Sequence, residues 1–307
     1  MAQGIGPVTL QNAVWFSALL EQQFQASSIV FKNIEVVNIG NNLTWTGQYL
    51  RKLHSNLVGE MERPVFATPQ IVAYQASVAA YECPVFIGDT TIANVQFNDS
   101  IQGKVVEAIG LELGRRADQV VIAGLNANYN QDYTIDYDGY YNVQLLSQAR
   151  NMLGNMSARG EVINLINFDQ FNNLMMDQRY TNGFWNYIKP LADAYPEPNQ
   201  DYEFRYQGML FLKLPQDIAL NTIAAHDEVP EKVRLFTFTR PCCKAFIGNV
   251  SPYGSSGWGV LVQHQIHRGG WDVNSRVRLG FVLEQKEGCI AIECKNGMMP
   301  VQAASAA

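Results

Sequence analysis

The sequence has few of the features that mark membrane-spanning, secreted or nucleic-acid-binding proteins. It contains no apolar run of the length that spans a bilayer, about 18 residues, and the opening MAQGIGPVTL has no basic region ahead of an apolar one. Lys and Arg number 22 against 28 Asp and Glu, and the net charge of −6 opposes tight binding to DNA or to an anionic membrane. These absences predict a protein that is made and kept in a cytoplasm, with no membrane partner.

Cysteine is scarce and odd in number. The five residues Cys83, Cys242, Cys243, Cys289 and Cys294 are spread through the chain of 307 residues. Because we expect no oxidising compartment, we predict free and mostly buried thiols instead of a disulfide framework.

Recognisable catalytic, cofactor and metal motifs are also missing. His264 and His267 fall on opposite faces of the strand-like run GVLVQHQIH, so they cannot share one metal ion. The neighbouring Cys242 and Cys243 could form a nucleophile at a helix N-terminus, but no motif of a cysteine enzyme surrounds them. We therefore predict no catalytic residue, no cofactor and no metal site, and a protein that is not an enzyme.

The longest periodic stretch runs from Asp99 to Asn126 and predicts a single helix of roughly 40 Å. A helix of that length is longer than a compact domain needs, and it is typical of a flat or elongated molecule. Its apolar side chains recur every fourth residue: Ile101, Val105, Ile109, Leu113, Ala117, Val121 and Leu125.

Three glycines interrupt this helical pattern. Gly103, Gly110 and Gly114 each cost about 1 kcal/mol against alanine in a helix interior. The charges in the same stretch exclude a membrane-spanning helix pair. We therefore expect another backbone to approach the helix closely at these positions.

Ahead of the long helix, the chain alternates short apolar runs with Gly and Asn. Residues 11–25 predict a short amphipathic helix after a small-residue arm. Residues 34–69 place charged side chains between isolated leucines, a pattern that closes no core of its own. We interpret this segment as an extended hairpin that finds its partners outside its own domain.

After the long helix, strand and helix patterns follow one another in an α+β order. We predict helices over residues 142–157 and 168–177, with Asn167 as the cap of the second. TRPCCKAFIGN is expected to begin a helix or a tight corner. Strands are predicted within 71–97 and at 162–166, 209–214, 235–239, 259–267, 277–285 and 289–294.

This order of elements resembles the major capsid protein of tailed bacteriophages, the Hong Kong 97-like fold. YECPVFIGDTTIANVQFNDSIQGKVVEAIGLELGRRADQVVIAGL is similar to the family's strand leading into its spine helix, with its paired arginines and following aspartate at Arg115, Arg116 and Asp118. ARNMLGNM and EVINLINFDQFNNLMMDQRY resemble the opening of its axial domain. LFTFTRPCCKAFIGNV and WDVNSRVRLGFVLEQKEGCIAIEC resemble its returning and closing strands.

The resemblance implies a division of the chain into the family's parts. The N-terminal arm would be residues 1–33, and the hairpin that the family calls the E-loop would be 34–70. The peripheral domain would combine 71–135, including the spine helix at 99–126, with 266–307, and the axial domain would be 136–265.

The function implied by the resemblance is self-assembly through hexamers and pentamers into the icosahedral head shell of a phage. The shell would enclose double-stranded DNA without sequence-specific binding, and portal and scaffolding proteins would be partners. The protein would be made and assembled in the host cytoplasm and then reside in the virion. Candidate spine-helix packing residues are Gly110, Gly114, Arg115 and Arg116. Candidate intersubunit contacts are Phe16, Leu20, Trp45, Tyr49, Arg51, Lys52, Leu53 and Leu57.

Two alternatives remain open at this stage. An encapsulin-type nanocompartment shell shares the fold but encloses cargo enzymes. An unrecognised cytoplasmic enzyme belongs to a different class, and a small oligomer of uniform size would favour it.

Overall fold

The computed structural model gives the bounds of three α-helices and fourteen strands, and residues 20, 22–24 and 27 are also helical. The described residues are 20, 22–24, 27–40, 42–50, 71–88, 100–156, 158–176, 203–206, 208–215, 222–223, 231–248 and 259–299. The helices are α1 Ser100–Asn128, α2 Val143–Asn155 and α3 Phe168–Met176. The strands are β1 Glu35–Gly40, β2 Thr44–Leu50, β3 Ile71–Ser77, β4 Ala79–Gly88, β5 Thr134–Asp136, β6 Val162–Asn167, β7 Glu203–Tyr206, β8 Met209–Leu214, β9 Thr222–Ile223, β10 Lys232–Thr239, β11 Cys243–Gly248, β12 Gly259–Gln265, β13 Gly270–Leu283 and β14 Cys289–Lys295.

Helix α1 is the predicted long helix, extended by two residues at its C-terminal end. Its 29 residues correspond to about 43 Å, and it packs against β13 and β4. Among the helices in the described part of the chain, none is long and apolar enough to cross a membrane. The predicted apolar stripe is buried at Ile109, Leu113, Ala117, Val121 and Leu125.

A five-stranded sheet lies against α1. β1 pairs in parallel with β11, which pairs antiparallel with β13; β13 also pairs antiparallel with β12 and with β4. Pro84 of β4 lies opposite Asn274 of β13. Among the described strands, β4 pairs only with β13. Proline has no N–H to donate, so an edge strand is where a sheet tolerates it.

A second sheet of seven strands forms the rest of the body. Its order is β5-β14-β10-β6-β8-β7, with β9 also paired to β10. Helix α2 contacts β14, and α3 contacts β6 and β8. One cluster of buried apolar side chains runs from α1 through both sheets, so the two sheets share a core.

The remaining pair of strands, β2 and β3, forms a separate antiparallel hairpin. Its register runs from Thr44 opposite Ser77 to Leu50 opposite Ile71. Because side chains alternate along a strand, Trp45 and Tyr74 share one face. That face is turned toward the five-stranded sheet, since both side chains pack against its buried residues.

Strand pairing distributes the predicted segments between the sheets. The hairpin extends to Ser77 instead of ending at residue 70, and β1, which was assigned to it, belongs to the five-stranded sheet. β11 and β12 leave the predicted axial segment for the same sheet, while β14 leaves the predicted peripheral segment for the seven-stranded sheet. The chain crosses between the sheets repeatedly, and periodicity identifies strands without identifying their neighbours.

Local signals predicted the helix starts well. Asn167 accepts a hydrogen bond from the Gln170 amide at 2.8 Å, which confirms the predicted cap. Asn142 caps α2 in the same way through the Leu145 amide, at 3.0 Å. Of the two alternatives predicted for the segment that begins TRPCC, a helix or a tight corner, the structure has the corner: the 3-10 turn Arg240–Cys242, followed by β11.

Candidate functional site at the hairpin base and the long helix

The hairpin is fixed to the body by a compact aromatic contact. The Trp45 ring centroid lies 4.9 Å from that of Phe246 in β11 and 5.4 Å from that of Tyr74. Phe246 is fully buried beside Ile39 and Val282. The aromatic face of the hairpin therefore completes a small second core on the five-stranded sheet.

A polar network surrounds this contact. The Tyr74 hydroxyl donates a hydrogen bond to Glu284 Oε1, and Lys244 Nζ lies 2.8 Å from the same oxygen. Lys244 also lies over the Trp45 ring, 5.5 Å from its centroid. Burial, followed by the hydrogen bond to Glu284, raises the Tyr74 pKa above its ordinary value, so the phenol remains a donor. We call Trp45, Tyr74, Lys244, Phe246 and Glu284 the hairpin-base cluster.

Gly47 provides the space in which the two aromatic rings meet. It lies directly opposite Tyr74 in the hairpin. A Cβ at this position would overlap the Tyr74 ring and lie 2.5 Å from Trp45 Cη2. A larger residue at position 47 would therefore displace Tyr74 from Glu284.

The opposite face of the hairpin is exposed. Thr44, Thr46, Gln48 and Gln75 lie on this face. Two apolar side chains near the hairpin are also open to solvent, since Leu43 is 59% and Ile71 57% exposed. This part of the hairpin has apolar area that its own chain does not cover.

The second feature of the site is the N-terminal segment, which lies on the glycines of α1. A Cβ at Gly110 would lie 2.6 Å from Gln23 Cβ, and one at Gly114 would overlap the Ser27 hydroxyl and lie 3.1 Å from the Ser28 amide nitrogen. Ser27 Oγ donates to the Gly110 carbonyl at 3.1 Å. The neighbouring backbone expected from these two glycines is thus that of the chain's own N-terminal segment.

Asp118 continues this contact one turn further along α1. Its carboxylate is fully buried and accepts hydrogen bonds from the amides of Ile29, Val30 and Phe31 at 2.8–2.9 Å. Burial raises the pKa of this carboxyl to about 6, while the three amides and the charge of Lys32 act in the opposite direction. The buried charge is compensated mainly by main-chain donors.

Two of the predicted intersubunit contacts, Leu20 and Trp45, pack within their own chain. Leu20 is 1% exposed and packs in the core of its own chain, so its side chain has almost no area left for a second subunit. Trp45 is half-buried and packs against Phe246. The segment 34–69, whose pattern predicted no core of its own, therefore contributes this residue to the core of its own chain.

Of the predicted site residues not yet discussed, two lie on the surface of α1 and the side chains of the rest lie outside the described part of the chain. Arg115 and Arg116 are exposed; the Arg116 guanidinium lies 4.9 Å from the Tyr81 ring centroid and donates to Gln119 at 3.0 Å. The Tyr49 side chain and Phe16, Arg51, Lys52, Leu53 and Leu57 lie outside the described residues.

The cysteines are free thiols. Cys83 is half-buried and the other four are buried. Cys242 and Cys243 have sulfurs 3.3 Å apart, and burial holds the pKa of Cys243 well above its ordinary value. A thiol that keeps its proton is a poor nucleophile. Within the described part of the chain, no three His, Cys, Asp or Glu side chains are placed to hold a metal ion.

Sequence reasoning missed the two buried carboxylates. Asp118 lies four residues after Gly114 and four before Ile122, on the buried side of α1. A charged residue on an apolar helix face indicates that the charge has a polar partner. The periodicity of the helix does not identify that partner. Glu284 gave no comparable signal, because it follows the end of a strand, where a charge is ordinary.

Comparison with known proteins decides what this arrangement is. No family profile matches the sequence, and no curated protein matches it. The capsid of Ralstonia phage GP4 matches the structure at a TM-score of 0.66 and 9% identity, covering 89% of this chain and 92% of that one. The head structure of Helicobacter pylori bacteriophage KHP40 matches at 0.63 and 11% identity, covering 88% and 91%. The chain has the Hong Kong 97-like capsid fold.

An encapsulin is also among the solved structures that are similar to this chain. The holo-SrpI encapsulin complex from Synechococcus elongatus matches at a TM-score of 0.57 and 10% identity, covering 86% of each chain. The fold expected from the sequence is thereby confirmed.

Proposed function

We propose that this protein is a major capsid protein that self-assembles into the icosahedral head shell of a tailed phage. The observation that carries the proposal is two-way coverage: 89% of this chain matches 92% of the Ralstonia phage GP4 capsid chain. On this reading the protein is structural and not an enzyme.

The hairpin is the proposed intersubunit arm. Its aromatic face is held on its own subunit by the hairpin-base cluster, while Leu43 and Ile71 remain more than half exposed. Burying such area on a neighbouring subunit would contribute about 25 cal/mol per Å², repeated at every contact of a shell. The predicted contact residues that remain candidates are Tyr49, Arg51, Lys52, Leu53, Leu57 and Phe16.

The domains of the subunit are proposed from the sheets. The five-stranded sheet with α1 would be the peripheral domain, and the seven-stranded sheet with α2 and α3 the axial domain. Residues up to 33 would be the N-terminal arm, rooted on α1 through Asp118.

The subunits would associate as hexamers and pentamers, and the shell would enclose double-stranded DNA. The net charge of −6 suits a lining that does not grip nucleic acid tightly. Portal and scaffolding proteins are proposed partners. Synthesis and assembly would take place in the host cytoplasm, and the final location would be the virion.

Expression of the full chain followed by negative-stain electron microscopy tests this proposal. Closed icosahedral shells are the expected result, with or without a co-expressed scaffold. A small soluble oligomer of uniform size under both conditions would contradict it and favour the unrecognised enzyme.

An encapsulin-type compartment is the second candidate, and the encapsulin match favours it. The two shells differ in their contents. Nuclease-treated particles from phage-infected cells should release protected double-stranded DNA if this is a capsid. Particles that instead retain a host protein, and no nucleic acid, would support the compartment.

A further inference from the structure

The N-terminal segment is held at its end by one side chain. Three consecutive amides, those of Ile29, Val30 and Phe31, all point at the carboxylate of Asp118. Ile29 donates to Oδ2, while Val30 and Phe31 share Oδ1. Val30 precedes the 3-10 turn Phe31–Asn33, so the carboxylate satisfies amides that a turn leaves unpaired at its start.

These amides are in a place where water cannot replace the carboxylate. Val30 is fully buried and Phe31 is 3% exposed. A buried amide without an acceptor is costly, so loss of the Asp118 acceptors would weaken the attachment of the segment at this point. The contact is therefore specific to this side chain, in contrast to the apolar packing around it.

The same segment touches both halves of the subunit. Toward α1 it places Ser27 on the Gly110 carbonyl. Toward the seven-stranded sheet, Lys32 pairs with Glu203 of β7 at 2.7 Å, and Asn33 donates to the same carboxylate at 3.2 Å. Both sheets are nevertheless complete in their pairing without residues 27–33.

We propose that Asp118 is the positioning residue of the N-terminal arm, and that its three amide bonds form a latch that can open while the body of the subunit stays folded. The latch fixes the point on α1 from which the arm leaves. Its role in placing the arm on a neighbouring subunit rests on the proposed capsid function, whereas the latch itself is a property of the single chain.

Hydrogen exchange of the full-length chain, followed by mass spectrometry with single-residue fragmentation, tests the latch. Asp118→Asn keeps the shape and one acceptor oxygen, which can still serve Val30 and Phe31, but it turns an NH₂ group toward the Ile29 amide. Ile29 should therefore exchange about tenfold faster, with smaller changes at the other two amides. Asp118→Ala removes all acceptors and should raise exchange at all three by about a hundredfold.

Glu107→Gln is the matched control, because Glu107 is exposed on the same helix. It should leave the exchange of Ile29, Val30 and Phe31 unchanged. The amides of β10 report on the body and should keep wild-type protection in Asp118→Asn. Wild-type exchange at Ile29 in Asp118→Asn would overturn the proposal. So would an equal rise in β10, since Asp118 would then be an ordinary core residue. Neither result depends on whether the chain forms shells.

Discussion

The Tyr74 hydroxyl donates a hydrogen bond to the Glu284 carboxylate, and this bond joins the hairpin to the end of β13. Lys244 from β11 approaches the same oxygen at 2.8 Å. A hydrogen bond to a charged group contributes about 1.5–3 kcal/mol. Tyr74→Phe should lower the free energy of unfolding by about that amount, measured by urea denaturation.

The two partners should also be coupled. Glu284→Gln weakens the bonds to both Tyr74 and Lys244, so the double variant should lose less than the sum of the single losses. Glu82→Gln is the control, because its ion pair with Arg276 is about half exposed and should contribute at most about 1 kcal/mol. Strict additivity of Tyr74→Phe and Glu284→Gln would mean that this hydrogen bond does not hold the hairpin.

The glycines of α1 and α2 give opposite predictions for the same substitution. Gly114→Ala introduces a methyl group 3.0 Å from Ser27 Cβ and in conflict with the Ser27 hydroxyl, so it should destabilise the protein by about 1–3 kcal/mol. Gly154→Ala meets nothing within 4 Å and should stabilise it by up to about 1 kcal/mol. Thermal unfolding of the two variants distinguishes the cases. Stabilisation by Gly114→Ala would place the N-terminal segment elsewhere.

The raised pKa of Asp118 predicts a pH dependence. Burial raises the pKa from 3.8 to about 6 on folding, and the three amide hydrogen bonds and the charge of Lys32 oppose this shift. The native state therefore binds this proton more tightly than the unfolded chain. The stabilising contribution is complete below pH 3.8 and is lost as the pH rises through about 6. The shift corresponds to a free energy on the order of 3 kcal/mol.

Asp118→Asn cannot titrate and serves as the reference for this measurement. The free energy of unfolding of the wild type, relative to that of the variant, should fall between pH 4.5 and pH 7.5 in urea titrations. A difference that is independent of pH would show that the carboxyl keeps its ordinary pKa in the folded protein.

The cysteines should resist oxidation and alkylation. Burial raises the pKa of Cys294 to about 12 and holds that of Cys289 well above its ordinary value. Native protein treated with iodoacetamide should therefore be labelled first at Cys83, the half-buried thiol. Non-reducing mass spectrometry should show free thiols throughout. A Cys242–Cys243 or Cys289–Cys294 bridge as the main species would contradict this prediction.

Sequence periodicity predicted the elements whose signals are local. The stripe of α1, including Ile109 and Leu113, and the cap of α3 at Asn167 depend on spacings of three and four residues within one segment. The two glycines Gly110 and Gly114 predicted a close backbone because their cost in a helix requires compensation.

The missed features depend on residues far apart in the chain. Asp118 binds amides 87–89 residues away, and Tyr74 bonds to Glu284 across 210 residues. The sheet to which each strand belongs was not predicted for the same reason, since β14 follows β13 in sequence but joins the other sheet. Such pairings are set by tertiary packing, and no local pattern encodes them.

We propose that the hairpin builds shells from subunits that already fold on their own. A variant that lacks residues 49–72, with an Asn-Gly turn joining Gln48 to Ala73, keeps the hairpin-base cluster and removes the chain between these two residues. Sedimentation velocity of this variant beside the wild type is the most direct test, with circular dichroism melting as the check on folding. We predict that the wild type forms shells, whereas the variant sediments as subunit-sized species and melts as a folded protein. If the variant formed shells at the wild-type yield, the proposed role of the hairpin in assembly would be contradicted.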